Sequence, residues 1–163
     1  MEFARQAKGR HNHKSCIAQA LASADQVCRS DGARLTDLRR KVLEIVWRGH
    51  DAVKAYDILE RLGGERRSAK PPTVYRTLRF LLEQGLVHRL ESLNAFVGCP
   101  TPAGRHESQF LICERCGWVR EFHAAKLDQA IARQAKAAGF QVHKKTIEVF
   151  GLCTHCQTGR RAT

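Results

Sequence analysis

Lys70-Pro71-Pro72-Thr73-Val74-Tyr75-Arg76-Thr77-Leu78-Arg79-Phe80-Leu81-Leu82-Glu83-Gln84-Gly85 reads as one helix with a marked start and a marked stop. Pro72 stands at its start, where the missing N–H is no loss. Val74, Leu78, Leu81 and Leu82 share one apolar face, and Tyr75, Arg76 and Arg79 project elsewhere. Gly85 supplies the C-terminal cap. Leu86-Val87-His88-Arg89-Leu90, a turn at Ser92-Leu93-Asn94, and Ala95-Phe96-Val97-Gly98 then read as a β-hairpin. Upstream, residues 15–30 suggest a helix through Ile17, Leu21, Ala24 and Cys28. Thr36 looks like the N-cap of a second helix running to about Arg48, with Leu38, Val42, Ile45 and Val46 on its inner face. A third spans Lys54 to Leu62 and ends at Gly63-Gly64. Helices followed by a hairpin make a winged helix-turn-helix.

Pro100-Thr101-Pro102-Ala103-Gly104 is a turn-rich connector and marks a boundary. The expected organisation is a winged-helix unit over 1–99, opened by a basic arm at 1–14, a hinge at 100–105, and a second unit over 106–163. Beyond the hinge, Gln109–Ile112 and Trp118–Phe122 look like strands. His123 to Ala138 looks like a helix with Leu127 and Ile131 inward, and Phe140 to Phe150 like a last strand. The second unit is thus a small α/β domain of order β-β-α-β, and the fold class of the chain is α+β. A C-terminal unit of about 60 residues has a thin core, for which a metal staple is a common remedy.

That staple is legible. Cys113-Glu114-Arg115-Cys116 and Cys153-Thr154-His155-Cys156 are two Cys-x-x-Cys pairs with 36 residues between them. A two-residue spacer lets both thiolates of a pair reach one ion, and two such pairs complete a tetrahedral zinc site. Soft sulfur favours zinc over magnesium, calcium or manganese. A closed four-sulfur site has no open position for substrate, so Cys113, Cys116, Cys153 and Cys156 point to structure and not to catalysis. A thioredoxin-like redox pair is the bland alternative, but it follows a strand, opens a helix and comes once. Zinc deaminases need His-x-Glu, and Pro immediately before a Cys-x-x-Cys. Here Glu107 directly follows His106, and Ile112 precedes Cys113. No enzymatic activity and no small-molecule substrate are expected.

The 163 residues carry a formal charge of +12, which points to a polyanionic partner. Aromatics are only 7%, without the interleaving typical of single-strand binders. No stretch approaches the roughly 18 apolar residues of a membrane span, and no signal-type apolar run follows the basic arm. A cytoplasmic location, where thiols stay reduced, is the expectation. Cys16 and Cys28 lack nearby ligand partners and read as small packing residues.

A second constellation is weaker. His88 and Cys99 lie on the two arms of the hairpin, His106 follows the connector, and Glu121 ends the strand after the first knuckle. Sulfur, two imidazoles and a carboxylate form a plausible zinc set. Taken singly, each is as readily a surface polar group.

Lys70-Pro71-Pro72-Thr73-Val74-Tyr75-Arg76-Thr77-Leu78, continued by Phe80-Leu81-Leu82-Glu83-Gln84-Gly85-Leu86-Val87-His88, resembles the ferric uptake regulator family, most of all its zinc-uptake-regulator branch. Arg34-Leu35-Thr36, Ala55-Tyr56-Asp57-Ile58-Leu59, Cys113-x-x-Cys116-Gly117 and Gly151-Leu152-Cys153-x-x-Cys156 extend the likeness over roughly residues 20–156. The resemblance implies a homodimeric, metal-dependent repressor of transcription that binds double-stranded operator DNA. It implies a winged-helix head and a C-terminal dimerisation domain, with two Zn²⁺ per protomer. One zinc is structural, on the four cysteines. The other is regulatory, on His88, Cys99, His106 and Glu121. Cys99 separates the zinc branch from relatives that sense iron, manganese or peroxide, which typically use nitrogen and oxygen ligands there. A relative sensing Fe²⁺ or Mn²⁺ is the alternative, with a zinc hydrolase far behind. One departure is Lys144, four residues before Glu148, where many members carry His. His123 and His143 remain as candidates for a third site. DNA reading falls to the fourth helix in the major groove. There Arg76 is the candidate for bidentate contact to guanine, and Tyr56, Tyr75, Lys70 and Arg79 position the backbone. Arg66, Arg67 and Arg89 add charge through counterion release.

Overall fold

The computed structural model describes residues 13–49, 51–63, 70–102 and 108–158. The arm up to residue 12, Arg66, Arg67, the hinge residues 103–105 and His106 lie outside the described residues.

Helices α1 (His13–Ser30), α2 (Asp37–Trp47), α3 (Ala55–Gly63) and α4 (Pro71–Glu83) build the head. The apolar spacing read in the sequence is what they bury: Val42, Leu43, Ile45 and Val46 of α2 meet Ile58 and Leu62 of α3 and Val74, Leu78 and Leu81 of α4. Each such aliphatic side chain contributes about 1.5–3 kcal/mol relative to exposure. Cys28 joins this core as a small apolar residue, and Cys16 is half-buried. Thr36 caps α2, its hydroxyl accepting the Arg39 N–H at 3.5 Å. Asp25 accepts Arg40 through both carboxylate oxygens at 2.7 Å, tying α1 to α2. On α4 the buried face includes Thr77, whose hydroxyl donates to the Thr73 carbonyl at 2.9 Å. Gly85, with φ of 65°, stops the helix, and the Leu86 N–H returns to the Leu81 carbonyl at 2.9 Å.

Strands β2 (Val87–Leu90) and β3 (Ala95–Gly98) form the expected hairpin, in register from Val87 opposite Gly98 to Leu90 opposite Ala95. The sequence did not announce β1 (Val53–Lys54), which pairs antiparallel with β3 and gives the order β1-β3-β2. Two residues are too few to show periodicity.

The second sheet contains β4 (Gln109–Cys113), β5 (Val119–Phe122) and β6 (Ile147–Gly151), in the order β5-β4-β6. Strand β6 runs parallel to β4 after the crossover through α5 (Ala125–Ala137). It is shorter than its alternating sequence suggests, because residues 140–146 stand off the sheet. Lys144 and Lys145 there are drawn to Glu91 and Asp128. Nor does α5 point Leu127 and Ile131 into a core. Among the described residues no side chain of α5 is buried, and Leu127 is 38% exposed. A short α6 (Thr154–Gln157) follows, inside the second cysteine knuckle.

The two sheets meet over an apolar seam. Leu90 of the hairpin packs with Phe110, Ile112 and Val119 of the second sheet, flanked by Ala52, Leu93 and Val97. A backbone bridge between Asp51 and Trp118 adds a further tie from the head to the first cysteine knuckle.

Gly98 sits against Trp47, the last residue of α2, and a Cβ there would overlap the indole. Replacing Gly98 by Ala is expected to destabilise the fold by about 1–3 kcal/mol, the usual cost of overpacking. Denaturant unfolding checks this, and an unchanged midpoint would mean that Trp47 can step aside.

Candidate metal centres

Cys113 ends β4, and Cys116 closes the turn before β5. Gly117, with φ of 71°, lets the chain double back so that its N–H reaches the Cys113 carbonyl at 2.9 Å. Cys153 and Cys156 flank the start and the middle of α6, just past β6. Because β4 and β6 are parallel neighbours, both knuckles emerge at the same end of the sheet. All four sulfurs lie within 4.8 Å of one another, and none is in a disulfide. A tetrahedron with Zn–S bonds of about 2.3 Å has edges of about 3.8 Å, and the Cys116 and Cys153 sulfurs are 3.8 Å apart.

The electrostatics also call for a cation. Burial pushes the thiols up, but at Cys113 the N–H groups of Cys153, Cys116 and Arg115 outweigh it and bring the thiol down to about 6. Cys156 is pushed up to about 12 by burial and by the neighbouring sulfurs. Four thiolates at this spacing repel one another, and a divalent ion reverses the sign of that interaction.

The second cluster spans the seam. His88 projects from β2, Cys99 follows β3, and Glu121 lies on β5. Their ligand atoms fall within 4.8 Å of one another. The hairpin register places them: the Cys99 N–H bonds to the Leu86 carbonyl at 3.1 Å, which brings the sulfur beside the strand that carries His88. His88 Nε2 is 3.2 Å from Glu121 Oε2, and its ring packs against Phe110 with centroids 5.4 Å apart. Cys99 is only 3% exposed. Burial, helped by the Glu121 carboxylate, pushes its thiol up to about 12. A sulfur, an imidazole and a carboxylate sharing one buried site fit a borderline-soft divalent ion better than a hard one. His106, the fourth expected donor, lies outside the described residues.

Ser108 was not anticipated. Its hydroxyl donates to Glu121 Oε1 at 2.5 Å and stands 3.3 Å from His88 Nε2. A lone serine carries no sequence signal for such a role; only the fold places it between His88 and Glu121. His123 and His143 do not join a cluster of three donors among the described residues. The carboxylate near His123, Asp128, instead takes the Lys145 ammonium and the Gln109 amide, the latter at 2.7 Å.

On the head, Tyr56 is 74% and Tyr75 60% exposed. Lys70, Arg76 and Arg79 are also exposed, with Arg79 3.7 Å from Glu83 on its own helix. These five side chains lie on α3, α4 and the N-cap of α4, away from the core face. Large aromatics and cations displayed to solvent on helices that gain nothing from them by packing suit a phosphate-bearing partner.

The ferric uptake regulator family model matches residues 30–150 of this chain. The zinc uptake regulation protein of Escherichia coli (strain K12) is 40% identical over 148 residues, covering 88% of this chain and 84% of that protein. A solved zinc uptake regulator in complex with zinc and DNA is similar at a TM-score of 0.83 and 40% identity, over 88% of this chain and 96% of that one. The holo form of XcZur is similar at 0.78 and 40% identity, over 86% of this chain and 98% of its own. The apo form of XcZur reaches only 0.52, at 38% identity over 88% and 99%. With the match running from the end of α1 into β6, and with relatives at this identity over most of the length, the chain belongs to the ferric uptake regulator family.

Proposed function

We propose that this chain is a zinc-responsive, DNA-binding transcriptional repressor that acts as a homodimer and shuts down zinc uptake genes. The observation that carries the reading is the second cluster. His88 and Cys99 belong to the hairpin of the head, Glu121 to the sheet of the other lobe, and all three converge on one point. The division into a head at 1–99, a hinge at 100–105 and a dimerisation domain at 106–163 makes that point a joint. The likeness to the holo form of a relative, against a much lower score for its apo form, supports a joint whose angle matters.

Bound zinc supplies two positive charges and directional bonds to nitrogen, sulfur and oxygen donors. With it in place, His88 and Cys99 hold the hairpin, and with it α4, at a fixed angle to Glu121, and His106 completes the set from just past the hinge. In a dimer that angle sets the separation of two recognition helices, which must match about one turn of DNA or a multiple. Typical couplings of this kind are about 1–3 kcal/mol, or roughly 5- to 150-fold in affinity, and act reciprocally on zinc and DNA. The four cysteines bind a second zinc within one lobe, giving two ions per protomer. The thiolate of Cys99 favours zinc over Fe²⁺ or Mn²⁺ by softness. Arg76 reads bases while Tyr56, Tyr75, Lys70 and Arg79 seat the backbone.

The dimer face is supplied by α5, β6 and the segments that flank β6. Leu127, Phe140, Val142, Val149, Phe150 and Leu152 are all at least 38% exposed. So many exposed large apolar side chains in one lobe suit an interface, and a second copy of this lobe is their proposed cover. Among the described residues no helix is long and apolar enough to cross a membrane; a cytoplasmic setting that keeps the thiols reduced completes the proposal.

The decisive measurement is operator binding against buffered free zinc, with metal content measured on the same sample. Wild type is expected to bind two ions per protomer and to gain DNA affinity with zinc. Cys99→Ser is expected to stay dimeric and lose the zinc response; an unchanged response in a gel-shift titration removes Cys99 from the switch. Because the Cys99 thiol stands near 12, it is protonated when metal-free and must release a proton to bind zinc. Zinc affinity at this site should therefore rise with pH, by about tenfold per unit from this thiol alone between pH 6 and 8. Competition against a chelating dye tests that, and a flat profile would mean that sulfur is not a ligand. Arg76→Ala is expected to cost about 1–3 kcal/mol on the operator and less on random DNA. Equal losses on both would limit Arg76 to phosphate contact.

A further inference from the structure

The turn of the hairpin is gripped from the other lobe. Glu148 of β6 presents Oε1 to the Glu91 backbone N–H at 2.7 Å and Oε2 to the Ser92 backbone N–H at 3.3 Å. The Ser92 hydroxyl donates to the same Oε2. Four residues upstream of Glu148, Lys144 donates to Glu91 Oε1 at 2.6 Å. The other oxygen of Glu91 is 3.2 Å from Arg89 Nε, and Arg89 also donates to Asn94 Oδ1 at 3.0 Å. The Glu91 carboxylate thus joins a cation of the hairpin to a cation of the other lobe. The hydrogen bond from Lys144 holds its carboxyl below the ordinary range.

These contacts differ from the metal cluster in position and in chemistry. His88 and Cys99 lie toward the root of the hairpin, Glu91 and Ser92 at its tip. Glu91 is three residue steps along the chain from His88, about 10 Å in extended backbone. A body attached at one point can pivot about it, and a second attachment at that distance removes most of the swing. The tip contacts are charge-assisted hydrogen bonds, and their exposure leaves them open to screening by salt. Neither a lone Glu148 nor a lone Lys144 carries a sequence signal for such a role.

We propose that Glu148 and Lys144 form a latch on the wing turn, and that they are positioning residues for operator recognition. The latch sets the angle between the lobes together with the metal cluster, and so sets how much zinc the switch requires. This inference rests on the reading of the chain as a zinc-dependent DNA-binding protein. A latch that favours the closed pose raises the fraction of molecules competent to bind. Apparent dissociation constants scale inversely with that fraction.

The test uses the full-length protein and its Glu148→Ala, Lys144→Ala, Glu91→Ala and Glu91→Ala/Lys144→Ala variants. Glu148→Ala is expected to raise the free zinc giving half-maximal operator binding by about 3- to 10-fold. Zinc affinity of the regulatory site without DNA should fall by a similar factor, while sedimentation, structural zinc content and thermal midpoint stay as in wild type. The difference in zinc affinity should shrink in 0.5 M salt, ~4 Å in Debye length, because the wild-type latch is screened there. Lys144→Ala should move the same way by less, and the double variant should lose no more than the worse single one. A zinc midpoint unchanged in Glu148→Ala overturns the latch, as does a lowered thermal midpoint with no change in zinc affinity. Additive losses in Glu91→Ala and Lys144→Ala overturn the pairing of those two residues. If wild type gains no DNA affinity from zinc, the functional reading falls and takes the latch with it. If wild type responds and the variants track it, the latch alone falls.

Discussion

Burying a thiol, an imidazole and a carboxylate together at the junction of two lobes is the constraint to which the rest of the fold answers. Cys99 is nearly inaccessible, and its thiol is held protonated by burial and by the charge of Glu121. Glu121 leans on His88 at 3.2 Å and on the Ser108 hydroxyl at 2.5 Å. The apolar seam beneath them, built on Leu90, Phe110, Ile112 and Val119, keeps water away and strengthens every charge interaction above it. A junction made only of such a seam would be indifferent to ligands. One made only of polar groups would be weak. With both, its strength depends on what neutralises three awkward donors at once, and that is the requirement for a switch.

The two cysteine-bearing sites separate by where their donors come from. Cys113, Cys116, Cys153 and Cys156 all belong to the end of one sheet, where parallel neighbours β4 and β6 deliver both knuckles together. Whatever binds there stiffens that lobe and is indifferent to the angle of the head, apart from the bridge between Asp51 and Trp118. Of the two donor clusters among the described residues, that of His88, Cys99 and Glu121 is the one with members on both sides of the seam. The structural and regulatory roles proposed for the two sites follow from topology more than from affinity.

Much of this was legible in the chain. Paired prolines and a terminal glycine mark α4, the hairpin follows from its alternation, and the four cysteines declare themselves by spacing. The donors of the second cluster were nameable as types, although the meeting of His88, Cys99 and Glu121 depends on a strand register that spacing alone does not give. Four features escaped for identifiable reasons. Strand β1 is too short for a period. Phe140 to Phe150 alternates like a strand, yet its first part is pulled away by ion pairs with residues distant in sequence. Leu127 lies on the apolar stripe of α5 and reads as core, but a stripe cannot say whether it faces its own chain or another copy. Ser108 and Glu148 act through hydrogen bonds to partners that only the tertiary fold brings near.

The segment that resisted the sequence reading is also where three surfaces converge. Lys144 and Lys145 are consecutive, and an extended chain sends consecutive side chains to opposite sides. Lys145 turns to Asp128 on α5, and Lys144 turns to Glu91 on the wing. Strand β6 follows immediately and sends Glu148 to the same wing turn. Residues 140–148 therefore tie the helix of the proposed dimer face to the tip of the hairpin. The same hairpin carries His88 and leads into Cys99. Pairing of two copies across α5 and β6 would stiffen this segment and, through it, the lobe angle. On this account dimer contact, wing position and metal affinity are linked through one short stretch of chain, and a change at any of the three must appear in the other two.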